Sequence, residues 1–188
     1  MLFRVNFVGD SDRERGDPRQ SFEGMFMIVV SFVAASSDSG KTTLIEKIVP
    51  LLKARGLRVA VIKHASGGFD VDKPGKDSWR FQQAGADTVI LAGSDKVALM
   101  RKTGHMPSLR ELEQLAGDVD IALYEGFKES AKNKIEVFRH GVSGEYPLSL
   151  NDPSYLALVS DRPFRNAIRQ FDINDADGVA NFIVSSIA

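Results

Sequence analysis

Residues 29–44 read VVSFVAASSDSGKTTL, and this stretch decides the fold. An apolar, partly β-branched run over residues 28–35 meets a small polar loop at 36–39, which passes through Gly40-Lys41-Thr42-Thr43 into an amphipathic helical pattern. A strand feeding such a loop and then a helix without a gap is the layout of a P-loop, where backbone N–H groups and the positive end of a helix dipole surround a polyphosphate. In that layout Lys41 reaches the β- and γ-phosphates and the Thr42 hydroxyl ligates Mg²⁺. Ser36, Ser37, Asp38, Ser39, Gly40 and Thr43 complete the expected nucleotide-binding loop. The first place of the G-x-x-x-x-G-K-[ST] template holds Ala35. Ala there costs about 1 kcal/mol if φ is positive and little if the backbone is still extended. Because Ala35 closes the strand run, the extended reading is expected.

The chain has 188 residues, 43% of them hydrophobic and 26% charged, which suits one well-buried globular domain. Residues 25–188 are expected to form a single P-loop nucleotide-binding domain. A formal net charge of -1 gives no overall basic field of the kind nucleic-acid binders use, so phosphate binding must be local. The absence of Cys removes disulfides, zinc thiolates and thiol nucleophiles, and fits a cytoplasmic location. The apolar run 25–35 is half the length of a membrane span and reads as a core strand, so no membrane partner is expected. Residues 1–24 end in GDSDRERGDPRQSFEG, charged and turn-rich without period, and read as a disordered extension.

Downstream, Leu44, Ile45, Ile48, Leu51 and Leu52 mark the inner face of a helix that stops at Gly56, with Pro50 kinking it or tightening its last turn. RVAVIK (58–63) is apolar on both faces and reads as a helix-covered parallel strand beside the P-loop strand. It delivers a long loop, HASGGFDVDKPGKD (64–77), to the edge where ligands bind in open α/β sheets. His64 and Asp77 bracket this candidate switch or partner loop, and Asp77 is placed to cap a short helix over 78–84 in which Trp79 and Phe81 pack. Two short strands (88–92 and 96–100) surround Gly93-Ser94-Asp95 and form a hairpin. Ser108 and Glu111 form a capping box for a helix burying Leu109, Leu112 and Leu115.

The second chemical signal is VDIALYE (119–125), a hydrophobic strand ending in Glu125 and followed by Gly126. Such an acid is the Walker B group that orders Mg²⁺, and the Gly lets backbone approach the γ-phosphate. Lys41 and Glu125 are therefore the expected catalytic pair, with Thr42 and Glu125 on the metal side. KIEVFR (134–139) alternates and reads as an edge strand or hairpin arm. Residues 155–159 read as the last buried strand and deliver Asp161, a candidate acceptor for guanine N1–H and N2–H₂. Asn174 is placed to cap a C-terminal helix whose inner face carries Val179, Phe182, Ile183 and Ile187.

Several separated stretches resemble the MobB family: SFVAASSDSGKTTLIEKIVPLLKARG, RVAVIKH, DVDKPGKDSWRFQQAGAD and DIALYEGFKES with KIEVFR. The resemblance runs from about residue 27 onward, and the pairing of D-K-P-G-K-D-S with E-G-F-K-E-S is more specific than any P-loop. It implies a three-layer α/β P-loop NTPase fold, with a mainly parallel sheet, helices on both faces and a β-hairpin extension. It also implies GTP and Mg²⁺ as cofactors, weak GTP hydrolysis, a homodimer, and a supporting role in molybdopterin guanine dinucleotide synthesis. The implied partners are a MobA-like nucleotidyltransferase and other molybdenum cofactor proteins. The family's phosphate loop falls on residues 36–43, its metal-side positions on Thr42 and Glu125, and its His and Asp around the long loop on His64 and Asp77, with Asp72 and Lys73 between them as further switch or partner-loop candidates. Two other readings stay open: a P-loop small-molecule kinase, and a dimeric scaffold with a structural nucleotide.

Overall fold

The computed structural model describes residues 27–165 and 168–186, so the extension over 1–24 and Ile187 lie outside the described residues. In chain order the elements are β1 (Ile28–Val33), α1 (Lys41–Ala54), β2 (Val59–Lys63), α2 (Asp77–Gln83), β3 (Thr88–Ala92) and β4 (Val97–Arg101). They continue with α3 (Leu109–Ala116), β5 (Ile121–Glu125), β6 (Lys134–Phe138), β7 (Tyr155–Ser160), β8 (Arg169–Asp172) and α4 (Ala176–Ser186). Six strands form one sheet in the order β2-β5-β1-β6-β7-β8, every neighbouring pair parallel. Its register sets Glu125 opposite both Phe32 and Lys63, so the loops that follow β1, β2 and β5 leave from one edge.

Helices α1 and α4 bury Leu44, Ile48, Leu52, Val179 and Ile183 against Val30, Phe32, Leu123 and Ile135 of the sheet. The opposite face carries Val33, Ala122, Tyr124 and Tyr155, covered by Phe127, Leu109 and Leu112 of α3, and Leu148. This is the expected three-layer α/β P-loop arrangement. Each fully buried aliphatic or Phe side chain contributes roughly 1.5–3 kcal/mol, so the α1/α4 face carries most of the stabilisation. Strands β3 and β4 stand apart as the expected antiparallel hairpin, with Ile90 opposite Leu99. Among the described residues, no helix is long and apolar enough to cross a membrane.

α1 runs through Pro50. Pro50 and Glu46 are both exposed, so water can reach the carbonyl that loses its bond. The helix ends in a tightened turn: Gly56, at φ 80, donates to the Lys53 carbonyl and Leu57 to the Leu52 carbonyl, a Schellman arrangement. Ser108 caps α3 by the expected box with Glu111.

Several expectations fail, each for a tertiary reason. KIEVFR is no edge strand: β6 lies between β1 and β7, and the polar position that suggested alternation, Glu136, is fully buried. β2 is not beside the P-loop strand, because β5 intervenes, and as an edge strand it leaves Val61 48% exposed. β7 is not the last strand, since β8 adds to its outer side. In α3 no residue is fully buried, and Leu115 faces solvent. In α2 the packing residue is Ser78, with Trp79 half-buried and Phe81 exposed. Asp175, not Asn174, caps α4, its carboxylate accepting from the Gly178 N–H at 2.8 Å.

Candidate nucleotide-binding site

The loop between β1 and α1 turns at Asp38 (φ 59) and Gly40 (φ 98). Among the described non-Gly residues only Asp38, Phe127 and Asn133 have positive φ, so Ala35 keeps the backbone that any residue adopts and carries no strain. Ser39 is buried, and its hydroxyl donates to the Ser36 carbonyl at 2.7 Å, closing the loop on itself. No side chain caps α1, and its first turn carries no acidic residue, which leaves the N–H groups of an anion-binding helix start. The Lys41 ammonium donates to the same Ser36 carbonyl at 3.1 Å. Burial holds its pKa below the ordinary lysine value; Lys63 acts in the same direction, while Glu125 and Asp38 oppose it. Ser37, Asp38, Thr42 and Thr43 are exposed around this turn.

Glu125 ends β5 almost fully buried, and the Thr42 hydroxyl donates to its Oε1 at 2.7 Å. The Lys63 ammonium, at the end of β2, reaches the same oxygen at 3.2 Å. Thr42 and Glu125 thus bring two hard oxygen donors together at the start of α1, a donor set that fits Mg²⁺. Among the described residues no three His, Cys, Asp or Glu side chains gather as a metal cage, so a cation here would draw further ligands from phosphate and water.

The structure corrects the role read for Gly126. Its N–H donates to the Phe32 carbonyl at 3.0 Å and so continues the sheet instead of facing a phosphate. Glycine is needed because φ is 93 and a Cβ would lie 3.1 Å from the His64 Cβ. His64 itself is pinned by its N–H to the Glu125 carbonyl, and its ring lies 5.0 Å from that of Phe127.

The rest of the 64–77 loop is organised around α2, away from these groups. Asp72 accepts from the Lys73 N–H at 2.9 Å and the Ser78 hydroxyl at 3.0 Å. Asp77 is the first residue of α2, not its cap, and pairs with Arg80 at 3.6 Å. Among the described residues no hydrogen bond or ion pair joins Asp72, Lys73 or Asp77 to Thr42, Lys41 or Glu125. Asp161 follows β7 and accepts from the His140 N–H with both oxygens, at 3.0 and 3.2 Å.

Two residues near the loop escaped the sequence reading. Lys63 pairs with Glu125, and Arg139, directly after β6, brings its guanidinium to 3.3 Å from where a Cβ on Gly40 would stand. Both lay in plain view as charges closing hydrophobic strands, in VAVIK and KIEVFR, as Glu125 closes IALYE.

The family profile described as "Molybdopterin guanine dinucleotide synthesis protein B" matches residues 29–161. The molybdopterin-guanine dinucleotide biosynthesis adapter protein of Escherichia coli strain K12 is 40% identical over 166 residues, 86% of this chain and 94% of that one. Among solved structures, Bacillus subtilis MobB superposes with TM-score 0.70 at 25% identity, covering 86% of this chain and 99% of that one. The crystal structure of molybdopterin-guanine biosynthesis protein B (mobB) gives TM-score 0.61 at 30% identity, covering 85% and 99%. The family match spans both halves of the site, the loop that carries Lys41 and the strand that delivers Glu125, and the chain belongs to the MobB family.

Proposed function

We propose that the protein is a GTP-binding adapter of molybdenum cofactor maturation, acting in the cytoplasm beside a MobA-like nucleotidyltransferase in molybdopterin guanine dinucleotide synthesis. The observation that carries this reading is the Thr42 hydroxyl on the Glu125 carboxylate at 2.7 Å, next to a Lys41 ammonium that no carboxylate among the described residues neutralises by direct contact. In the reading, the P-loop amides and Lys41 hold the phosphates, while Thr42 and Glu125 hold Mg²⁺. The cation supplies charge neutralisation on the phosphates. Asp161 lies two strands from the P-loop strand, on the side away from Glu125, and is the proposed reader of the guanine edge, releasing the His140 N–H as it does so. Glu125 already accepts from Thr42 and Lys63, which suits a metal-side acceptor better than a free base. Hydrolysis is accordingly slow, about 10³ to 10⁵ below that of P-loop GTPases supplied with an arginine finger. The His64 to Asp77 loop, with Asp72 and Lys73 at the turn before α2, is the proposed partner-facing segment.

Calorimetric titration with GTP and with ATP, each with and without Mg²⁺, tests this reading. Saturable binding of GTP over ATP, strengthened by Mg²⁺, is expected; ATP preference would replace it with the kinase reading.

The same reading includes a homodimer. One face of the β3–β4 hairpin rests on α2 through Val89 and Met100, where the Gln82 amide reaches the Met100 sulfur. The other presents Ile90, Val97 and Leu99 to solvent, between 43% and 61% exposed. An apolar face of that kind suits a second copy of the hairpin. Leu99→Asp is expected to convert a dimer into a monomer in light scattering with the melting temperature of the P-loop domain kept. A wild-type monomer at tens of micromolar would remove the dimer from the proposal.

A further inference from the structure

The geometry points to Arg139 as a cis-acting clamp on the α- and β-phosphates of the bound nucleotide, an assignment that rests on the nucleotide-binding reading above. β6 flanks β1 on the side opposite β5, so Arg139 approaches the P-loop from the flank away from Thr42, Glu125 and Lys63. Its guanidinium lies against Gly40, 3.3 Å from the Cβ that a larger residue would carry there. P-loop backbone amides cradle the α- and β-phosphates, whereas the loop lysine reaches further, to β and γ. A cation over Gly40 on the flank away from the metal-side acid therefore meets the inner two phosphates.

An exposed arginine is most often only a solvated charge, and three features set this one apart. Its backbone is pinned: the Arg139 N–H donates to the Ser143 hydroxyl at 3.0 Å, and its carbonyl accepts from the Val142 and Ser143 N–H groups at 3.1 and 2.8 Å. The turn so formed is stitched to the P-loop itself, because the Ser36 hydroxyl donates to the Val142 carbonyl at 2.9 Å. Finally, among the described residues none bonds the guanidinium, although the register of β6 and β7, with Phe138 opposite Ser160, sets a carboxylate just past the adjoining strand: Asp161 is turned to the His140 N–H. A planar fork of five donors, held beside a phosphate loop and without an acid to neutralise it, is suited to bidentate phosphate contact.

The test uses the full chain as wild type, Arg139→Ala and Arg139→Lys, titrated with Mg·GTP and with Mg·GDP, with steady-state GTP hydrolysis alongside. Loss of one or two charge-assisted hydrogen bonds predicts that Arg139→Ala binds GTP and GDP about 10- to 100-fold more weakly, by the same factor for both. Arg139→Lys recovers part of the loss, and in hydrolysis the KM for GTP rises by a larger factor than the turnover falls, because the γ-phosphate side is untouched. Unchanged affinity in Arg139→Ala overturns the assignment. So does a loss confined to GTP with a fall in turnover, which would make the residue a γ-phosphate finger. Wild type that binds neither nucleotide overturns the nucleotide reading and the clamp with it; the wild-type titration distinguishes that failure from the others. Far-UV circular dichroism and melting temperature check the fold, which a substitution at this exposed position leaves intact.

Discussion

Lys41→Met is expected to weaken nucleotide binding at least about 100-fold while leaving the empty protein as stable as the wild type, or more so. The binding loss follows from removing charge-assisted hydrogen bonds to two phosphates, each worth about 1.5–3 kcal/mol. The stability half follows from the empty site. There the ammonium is partly desolvated, bonds only the Ser36 carbonyl among the described residues, and has its pKa lowered by burial, which with the smaller effect of Lys63 outweighs the opposing pull of Glu125 and Asp38. Met keeps the stem and removes the charge. The sign of the pH dependence is fixed by the same shift. With the folded-state pKa below 10.5, the unfolded chain holds more protons between the two values, so wild-type stability rises with pH across that window. The variant lacks this rise. Bound polyphosphate pulls the Lys41 pKa back up, so wild-type affinity falls as pH climbs through the same window. Calorimetry and thermal melts over that pH range check both halves, and a variant that keeps wild-type GTP affinity would remove Lys41 from the site.

The parts of the site legible in the sequence are those whose function depends on local order. The P-loop and its helix form a continuous segment, and the strand ending at Glu125 is apolar throughout, so both show in a short window. Register then does what spacing alone does not: it sets Glu125 beside Lys63 and brings the acid to Thr42 across 83 positions. The errors cluster where a polar residue is buried for a tertiary reason or an apolar one is left exposed. Glu136 made a central strand look amphipathic, and Val61 made an edge strand look central. Phe81 and Leu115 carried helical spacing without a layer above them to pack against. Gly126 shows the same limit in the backbone: its glycine requirement comes from positive φ and from the His64 Cβ, a neighbour 62 positions away that only the sheet order brings near. Asp77 and Asp72 could both have anchored α2, and the choice fell to Asp72 because Ser78 and not Asp77 turns inward.

Glu136→Ala is expected to cost about 3–5 kcal/mol, a large single-residue effect on stability away from the α1/α4 core. The side chain is fully buried on β6, and its two oxygens accept from the Leu148 N–H at 2.9 Å and the Ser149 N–H at 2.8 Å. These are the first amides of the short 3-10 turn Leu148–Leu150, which no other side chain caps. The carboxylate therefore does at long range what an N-cap residue does locally. Truncation strands two amides, one of them buried, at about 1–3 kcal/mol each, and opens a cavity beside them. For a chain of this size that corresponds to a melting temperature lower by roughly 6–20 °C. Glu136→Gln keeps the volume and one acceptor oxygen and is expected to lose about 1–3 kcal/mol, so the order wild type, Gln, Ala is the signature of the two hydrogen bonds. The residues between Arg139 and this turn are the ones that lie on the P-loop through Val142, and Glu136 anchors their far end. At a temperature where both variants remain folded, nucleotide affinity should fall in the same order as stability. An Ala variant that melts with the wild type would mean that the two amides find other acceptors; one that melts early yet binds nucleotide normally would separate the turn from the site.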